Sequence, residues 1–244
     1  MNSFERQITI PDYLCDRHDR LHPWAALRLC QEVSEGHSKA TGIGYETMIQ
    51  RGLIWILSRA YYIFYRRPQE GEEVVFRTWS RGCDGLFAWR DYEAMSSKGE
   101  CLLAGTSYWP LIDYATRRPQ RLRELLAGYD YLERTATEKS ALEKLPIPTM
   151  GEGALRMERN VYYSMLDHVG HVNNAEYTRL IVDALADRGL DLDRPFGLEL
   201  GYQHETLPDE TLVVESQRHE DVFNILISNN RGTSVVAQIT QHND

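Results

Sequence analysis

The sequence predicts an α+β protein in which two tandem copies of one unit each wrap an antiparallel sheet around a single helix. Three observations lead to this fold class: an internal repeat that keeps its order, strand-like segments that outnumber helical ones, and one amphipathic helix before each group of strands. A helix that must bury its apolar face against one antiparallel sheet requires that sheet to curve around it.

The internal repeat is clearest around two loop-to-helix segments. Asp16 precedes Trp24-Ala-Ala-Leu-Arg-Leu-Cys, and Asp167 precedes Asn174-Ala-Glu-Tyr-Thr-Arg-Leu, so that Arg28 aligns with Arg179. Two later segments recur in the same order: Gly71-Glu-Glu-Val-Val as Asp209-Glu-Thr-Leu-Val, and Lys98-Gly-Glu-Cys-Leu-Leu-Ala as Arg231-Gly-Thr-Ser-Val-Val-Ala. Repetition of this length indicates two fused copies of a unit that elsewhere pairs with itself.

Within each copy, apolar and aromatic residues form short runs separated by Gly or charged turns, which is typical of an antiparallel meander. The runs begin at Trp55, Val74, Phe87 and Cys101 in the first copy, and at Leu198, Leu212, Phe223 and Val235 in the second. One helical pattern precedes each meander, with apolar residues three and four apart, over 26–37 and 177–184.

These elements divide the chain into an N-terminal unit at residues 1–119, a linker at 120–155 and a C-terminal unit at 156–244. The linker is rich in Arg, Glu, Lys and Thr and includes a short helical pattern. Pro146 and Pro148 favour an extended end to this linker.

Composition and charge exclude several classes of protein. Apolar residues make up 42% of the 244 residues, and no stretch reaches the ~18 consecutive apolar residues that a membrane span needs. The net charge of -9 argues against broad binding to nucleic acid, which depends on Lys and Arg. The first seven residues lack the apolar core of a secretion signal, so we expect a cytoplasmic protein.

The four cysteines, Cys15, Cys30, Cys83 and Cys101, all lie in the first copy. They form no CxxC pair and lack the spacing of metal ligands, so we expect free thiols. The sequence therefore predicts no metal site and no cofactor.

The second loop-to-helix junction contains the strongest candidates for chemistry. Asp167, His171, Asn173 and Asn174 precede or begin a helix, where unpaired N–H groups favour a developing negative charge. A thioester carbonyl under attack becomes such an oxyanion. The asparagines have an alternative role as helix caps. Glu205, at the end of the following strand, is either an ordinary strand-end glutamate or a general base if the sheet brings it beside His171.

The sequence around these residues resembles the acyl-acyl carrier protein thioesterases, of a bacterial type. Asp167-His-Val-Gly-His-Val-Asn-Asn-Ala-Glu-Tyr resembles the family motif Asp-x-Asn-x-His-Val-Asn-Asn-x-x-Tyr. Gly71-Glu-Glu-Val-Val-Phe-Arg-Thr-Trp and Ser107-Tyr-Trp-Pro-Leu-Ile-Asp-Tyr-Ala-Thr-Arg-Arg-Pro resemble two further family segments, in the same order. The resemblance implies a double hotdog fold and hydrolysis of fatty acyl thioesters, which ends chain elongation.

The resemblance also implies roles for single residues. Asp167 matches the aspartate that holds the catalytic site in place, His171 the catalytic histidine, and Glu205 a glutamate that activates the hydrolytic water. Two positions depart from the plant-like pattern: Val169 stands where an asparagine is expected, and Thr206 where some members have a cysteine. We therefore expect direct attack by water, with Glu205 or His171 as the base and Asp167 orienting His171.

The first copy lacks the matching histidine and asparagine pair, so we expect it to bind the acyl chain while the second copy is catalytic. Its aromatic residues Trp55, Tyr61, Trp89 and Tyr92 are candidates to line an acyl tunnel, or else ordinary core residues. Because acyl carrier protein is acidic, docking on a chain of net charge -9 requires a local basic patch. The candidates are Arg117, Arg118, Arg121 and Arg123, which alternatively form a solvated turn.

Two other functions fit the same sequence. A hotdog thioesterase that acts on acyl-coenzyme A would share much of the site but differ in its partner surface. A non-catalytic acyl-binding hotdog is a second alternative, which the joint presence of Asp167, His171 and Glu205 disfavours. Association into a homodimer is left open.

Overall fold

The computed structural model describes residues 1–186 and 188–242. These residues form one eleven-stranded antiparallel sheet with a few helices. The strand order is β1-β4-β5-β6-β3-β8-β11-β10-β9-β7, and β2 pairs with β6 off this path. The strands are β1 (Phe4–Thr9), β2 (Leu53–Trp55), β3 (Arg59–Phe64), β4 (Glu73–Cys83), β5 (Phe87–Ser96), β6 (Cys101–Asp113), β7 (Leu155–Asn160), β8 (Phe196–Tyr202), β9 (Thr211–His219), β10 (Val222–Asn229) and β11 (Gly232–Gln241). The helices are α1 (Pro23–Ala40), α2 (Tyr45–Gln50), α3 (Leu122–Leu125) and α4 (Asn174–Leu185).

The two predicted copies meet at the centre of this sheet, where β3 of the first pairs with β8 of the second. The pairing is antiparallel, from Arg59 opposite Gly201 to Phe64 opposite Phe196. The Phe64 and Phe196 rings stack at 4.7 Å. The sheet therefore runs without a break through both copies and fixes one against the other.

The helices α1 and α4 also join the copies because they lie side by side in opposite directions. Glu176 of α4 is 2% exposed and accepts a hydrogen bond from Arg28 of α1 at 2.9 Å. The Arg179 guanidinium lies 3.9 Å from the centre of the Trp24 ring. A buried carboxylate must be paired, so this pair fixes the alignment of the two helices.

A shared core surrounds both helices. The buried face of α1 includes Ala26, Leu29, Cys30 and Val33, the residues whose spacing predicts the helix, and α4 buries the corresponding Tyr177, Leu180, Ile181 and Ala184. Both faces belong to one cluster with buried side chains of the surrounding strands. No helix in the described part of the chain is long and apolar enough to cross a lipid bilayer.

The structure differs from the sequence prediction in three places. The run that begins at Trp55 is two strands, because β2 ends there and β3 begins at Arg59, although both pair with β6. The short helix α2 was not predicted; Met48 is its one buried residue, so it has no periodic apolar face to detect. The helical pattern in the linker is the four-residue α3, and β7 begins at Leu155. The unit boundaries at 119 and 156 stay a prediction.

Candidate active site

The loop before α4 is a tight turn that the carboxylate of Asp167 holds closed. Its Oδ1 accepts hydrogen bonds from the backbone N–H groups of Val169 at 2.9 Å and His171 at 3.2 Å. The Asp167 N–H donates to the His171 carbonyl at 2.8 Å, and Gly170 takes the positive φ of 86° that the turn requires. Asp167 thus shapes the loop through the main chain, whereas the sequence analysis expected it to orient the His171 side chain.

The first copy builds the same turn from different residues. The Oδ1 of Asp16 accepts from the backbone N–H groups of His18 at 2.9 Å and Arg20 at 3.2 Å, and Asp19 takes the positive φ of 57°. The repeat therefore extends to single hydrogen bonds, and Arg20 occupies the position that His171 has in the second copy.

A second equivalence locates Glu205 relative to this turn. The Leu21 N–H donates to the Pro68 carbonyl at 2.8 Å, as the Val172 N–H donates to the Thr206 carbonyl at 3.0 Å. The residues that precede these acceptors are Arg67 and Glu205. In the first copy, the Arg67 guanidinium bonds the Asp16 carboxylate at 2.5 Å. By this equivalence, Glu205 lies next to the Asp167 turn, in the loop that follows β8 and not at the strand end that the sequence predicts.

The loop that contains Glu205 is fixed by a chain of buried hydroxyl groups. Tyr177, the tyrosine of the motif, donates to the Thr206 hydroxyl at 2.8 Å, and Thr206 in turn donates to Ser234 at 3.0 Å. Burial raises the pKa of Tyr177 to about 12, so it remains a neutral donor. On the other side, Arg231 donates to the Glu205 carbonyl at 2.6 Å. Thr206 therefore anchors this loop and does not face the cavity as a nucleophile would.

The two asparagines of the motif have different positions at the start of α4. Asn173 is the N-cap, and its Oδ1 accepts from the Ala175 N–H at 2.9 Å. Its carbonyl accepts from the Glu176 N–H at 2.9 Å. Within residues 1–186 and 188–242, the backbone N–H of Asn174 has no such acceptor. The capping role expected for one asparagine belongs to Asn173, and Asn174 contributes a free N–H group.

A cavity of about 950 Å³ lies beside this loop, mainly within the first copy. Asp167, His168, Val169, Asn173 and Asn174 contribute to its wall at one side. The remainder comes mainly from the C-terminal half of α1, from α2, from β2, β4, β5 and β6, and from 123–131 of the linker. A cavity of this size is typical of small-molecule sites.

The candidate residues are divided unequally between this cavity and its surroundings. Trp55 and Trp89 line it, whereas Tyr61 and Tyr92 do not; Tyr92 is buried in the core instead. His171 and Glu205 are partly buried and are not part of the cavity wall.

The sequence analysis missed His168, whose ring packs edge-on against Tyr45 of α2 at 4.3 Å. His168 lines the cavity, one residue after Asp167. Its place inside the motif, directly after Asp167, is the one signal in the sequence, because α2 has no periodic apolar face to detect.

The predicted docking arginines lie on the surface after β6, three of them in the loop before α3 and Arg123 in α3 itself. Arg117, Arg118, Arg121 and Arg123 are all exposed, and none forms an ion pair in the part of the chain that the structure describes. Arg117 lies over the Tyr114 ring at 5.5 Å, and Arg123 also lines the cavity. The cluster is therefore an uncompensated basic patch next to the cavity.

The structure joins two units through one sheet and places a capped loop beside a large cavity, and comparison with known proteins gives the family. The acyl-ACP thioesterase N-terminal domain matches residues 1–129, and the C-terminal domain of that family matches 152–244. The chain belongs to the acyl-ACP thioesterase family.

Curated relatives are similar over most of this chain. Oleoyl-acyl carrier protein thioesterase 2 of Arabidopsis thaliana is 25% identical, over 88% of this chain and 63% of its own length. Dodecanoyl-[acyl-carrier-protein] hydrolase of Umbellularia californica is 25% identical, over 86% of this chain and 58% of its own length. The chain thus spans less than two thirds of the length of these relatives.

Solved structures agree in fold. The 12:0-ACP thioesterase of Umbellularia californica superimposes with a TM-score of 0.86 at 20% identity, covering 98% of this chain and 97% of that one. An acyl-ACP thioesterase of Bacteroides thetaiotaomicron gives 0.82 at 20% identity, with 98% of both chains covered. The predicted double hotdog fold is confirmed.

Proposed function

We propose that this chain hydrolyses the thioester of fatty acyl-acyl carrier protein and releases the free fatty acid. The observation that carries the proposal is the position of the Asp167 to Asn174 loop, whose motif is that of the family and whose residues form one side of the 950 Å³ cavity. An acyl chain in that cavity gains ~0.8 kcal/mol for each methylene that it buries. Its thioester then lies next to the loop.

The reaction is direct attack by water. The water oxygen bonds the carbonyl carbon while a general base takes its proton; the C–S bond then breaks, and the phosphopantetheine sulfur leaves as a thiol after it takes up a proton. Glu205 is the base, either alone or through His171, in the loop that Thr206 and Arg231 fix. Asp167 holds the loop in the conformation that this chemistry needs.

The backbone N–H of Asn174 is the donor for the oxyanion. It is in the first turn of α4, where the helix dipole favours negative charge, and the neighbouring amides of Ala175 and Glu176 are already occupied by Asn173. Val169, which replaces the motif asparagine, cannot donate from its side chain. The Asn174 N–H therefore supplies the stabilisation of the oxyanion.

Product analysis with acyl carrier proteins of graded chain length tests this function. We expect wild type to release free thiol and fatty acid in equal amounts. In the His171→Ala variant we expect turnover to fall roughly 100-fold or more. The matched control is His18→Ala, which removes an exposed histidine from the equivalent turn of the first copy. Wild-type turnover in His171→Ala would contradict the assignment of this histidine.

Carrier docking is proposed for Arg117, Arg118, Arg121 and Arg123. Their exposure, their lack of ion pairs and the contact of Arg123 with the cavity support this role. In the same assay, replacing them by Ala lowers activity on carrier-linked substrate and spares a small acyl thioester. Equal rates on coenzyme A and carrier substrates would indicate an acyl-coenzyme A thioesterase instead.

A cytoplasmic location and a homodimer stay predictions, and the curated relatives are named chloroplastic.

A further inference from the structure

The cavity wall contains a buried arginine that no carboxylate of the described residues contacts directly, although Glu35 acts on its charge at longer range. Arg90 of β5 is 8% exposed and lines the cavity. Its Nη1 donates to His37 Nδ1 at 3.0 Å and to the Thr78 hydroxyl at 3.3 Å, and its Nη2 donates to the Ser38 hydroxyl at 3.2 Å. Within residues 1–186 and 188–242 it has no ion pair, although burying an unpaired charge is costly.

The partners of Arg90 are all neutral. Burial and the charge of Arg90 both lower the pKa of His37, so this histidine is uncharged near neutral pH. Since its Nδ1 accepts from Arg90, its proton is on Nε2, which lies 3.2 Å from the Met1 carbonyl oxygen. By contrast, Arg81 on the neighbouring strand also lines the cavity but lies 3.2 Å from the carboxylate of Asp91.

The position of this arginine is remote from the reacting carbonyl. Because α1 and α4 run in opposite directions and Arg28 meets Glu176, the first turn of α4 lies near residue 30 of α1. Ser38 is therefore roughly 10 Å further along α1 at 1.5 Å per residue. Ser34 and Gln31 line the cavity over the same stretch. The cavity thus has a polar stripe that ends at a cation, which an unsubstituted alkyl chain would leave unpaired.

We propose that this cavity accepts acyl chains that carry an oxygen acceptor, a hydroxyl or a carboxylate, remote from the thioester, and that Arg90 binds that oxygen. The proposal rests on the proposed function in one respect, that the chain enters with its thioester beside α4. The bound oxygen supplies the acceptor that the guanidinium lacks, and a hydrogen bond to a charged group discriminates by roughly 10- to 100-fold.

Substrate competition provides the test. Acyl carrier proteins loaded with an unsubstituted chain, a chain of equal length with a hydroxyl beyond its middle, and one with a terminal carboxylate are compared by kcat/KM. We expect wild type to prefer at least one oxygenated chain, and Arg90→Met to reduce that preference about tenfold or more, mainly through KM. Arg90→Lys, which keeps the charge, retains part of it. The matched control is Arg77→Met, which removes a surface arginine of β4 that pairs with Glu5.

A binding measurement separates failure of this proposal from failure of the proposed function. Free fatty acids, hydroxy fatty acids and dicarboxylic acids of one chain length are titrated into wild type and Arg90→Met by calorimetry, which needs no hydrolysis. Tighter binding of an oxygenated acid that depends on Arg90 supports the subsite even if neither thioester is cleaved. Equal or weaker binding of the oxygenated acids to wild type, or a preference that Arg90→Met keeps, overturns it.

Discussion

Replacing Asn174 by proline tests the oxyanion donor without disturbing the fold. Proline removes the backbone N–H, which donates to no acceptor in the described residues, and it is favourable at the first position of a helix. The first copy already has this arrangement, because Pro23 begins α1 at the equivalent position. The preceding Asn173, with φ of -61° and ψ of 140°, has the extended backbone that a following proline requires, as does His22 with -58° and 140°.

The expected loss of activity in Asn174→Pro follows from the hydrogen bond that the N–H donates to the oxyanion. Loss of one oxyanion donor costs about 2.7–4 kcal/mol of transition-state stabilisation, so kcat falls about 100- to 1,000-fold in Asn174→Pro. The free energy of unfolding should change by less than about 1 kcal/mol, since no hydrogen bond is lost. Steady-state hydrolysis of acyl-acyl carrier protein and urea denaturation measure the two quantities.

Asn174→Ala is the control for the side chain, because it keeps the N–H and should retain most of the activity. Binding of a non-hydrolysable acyl thioether to Asn174→Pro shows whether the proline ring obstructs the substrate. Wild-type turnover in a folded Asn174→Pro enzyme would refute the reasoning. So would an equal loss in Asn174→Ala, which would assign the effect to the side-chain amide.

Two further predictions concern the position that is Arg67 in the first copy and Glu205 in the second. Arg67→Met leaves the largely buried Asp16 without its cation and should lower the free energy of unfolding by about 3 kcal/mol in urea at pH 7. Burial alone would raise the pKa of Asp16, but hydrogen bonds from Arg67 and the turn lower it overall. The difference in the free energy of unfolding between variant and wild type should therefore reach its full size above about pH 4. It should shrink as the pH falls through that lowered pKa. Glu205→Arg should give the Asp167 turn the ion pair that Asp16 has, and so raise the free energy of unfolding by about 1 kcal/mol. The same variant should lose hydrolysis. Unchanged hydrolysis would exclude Glu205 as the base.

The sequence predicted the parts of the fold that are written as periodic patterns. The spacing from Ala26 to His37 gave α1, and the order of the repeat gave the equivalence of the two turns. It could not give α2, which buries Met48 alone, or the break before Arg59, because both strands there pair with the same neighbour. Short elements and breaks depend on tertiary contacts rather than on local pattern.

The sequence predicts which residues form the candidate site but not the contacts that they make. The motif located Asp167, yet its hydrogen bonds to Val169 and His171 are made by the main chain, which has no sequence signature. The free N–H of Asn174 likewise cannot be recognised from the sequence, because it depends on which neighbouring amides already have acceptors. Arg90 was missed because its type and position suggest only an exposed charge on a strand, and its burial beside His37 is a tertiary result.

The two turns show that backbone geometry alone does not make a site. Both have the same aspartate, the same pair of N–H donors and the same helix start, with distances that agree at 2.9 and 3.2 Å. In the first copy Arg67 neutralises Asp16, and Pro23 removes the oxyanion donor. In the second, neither Asp167 nor Glu205 has an ion pair among the described residues. An arrangement that forgoes such stabilisation is typical of a functional site, which supports the proposed assignment of the chemistry to the second turn.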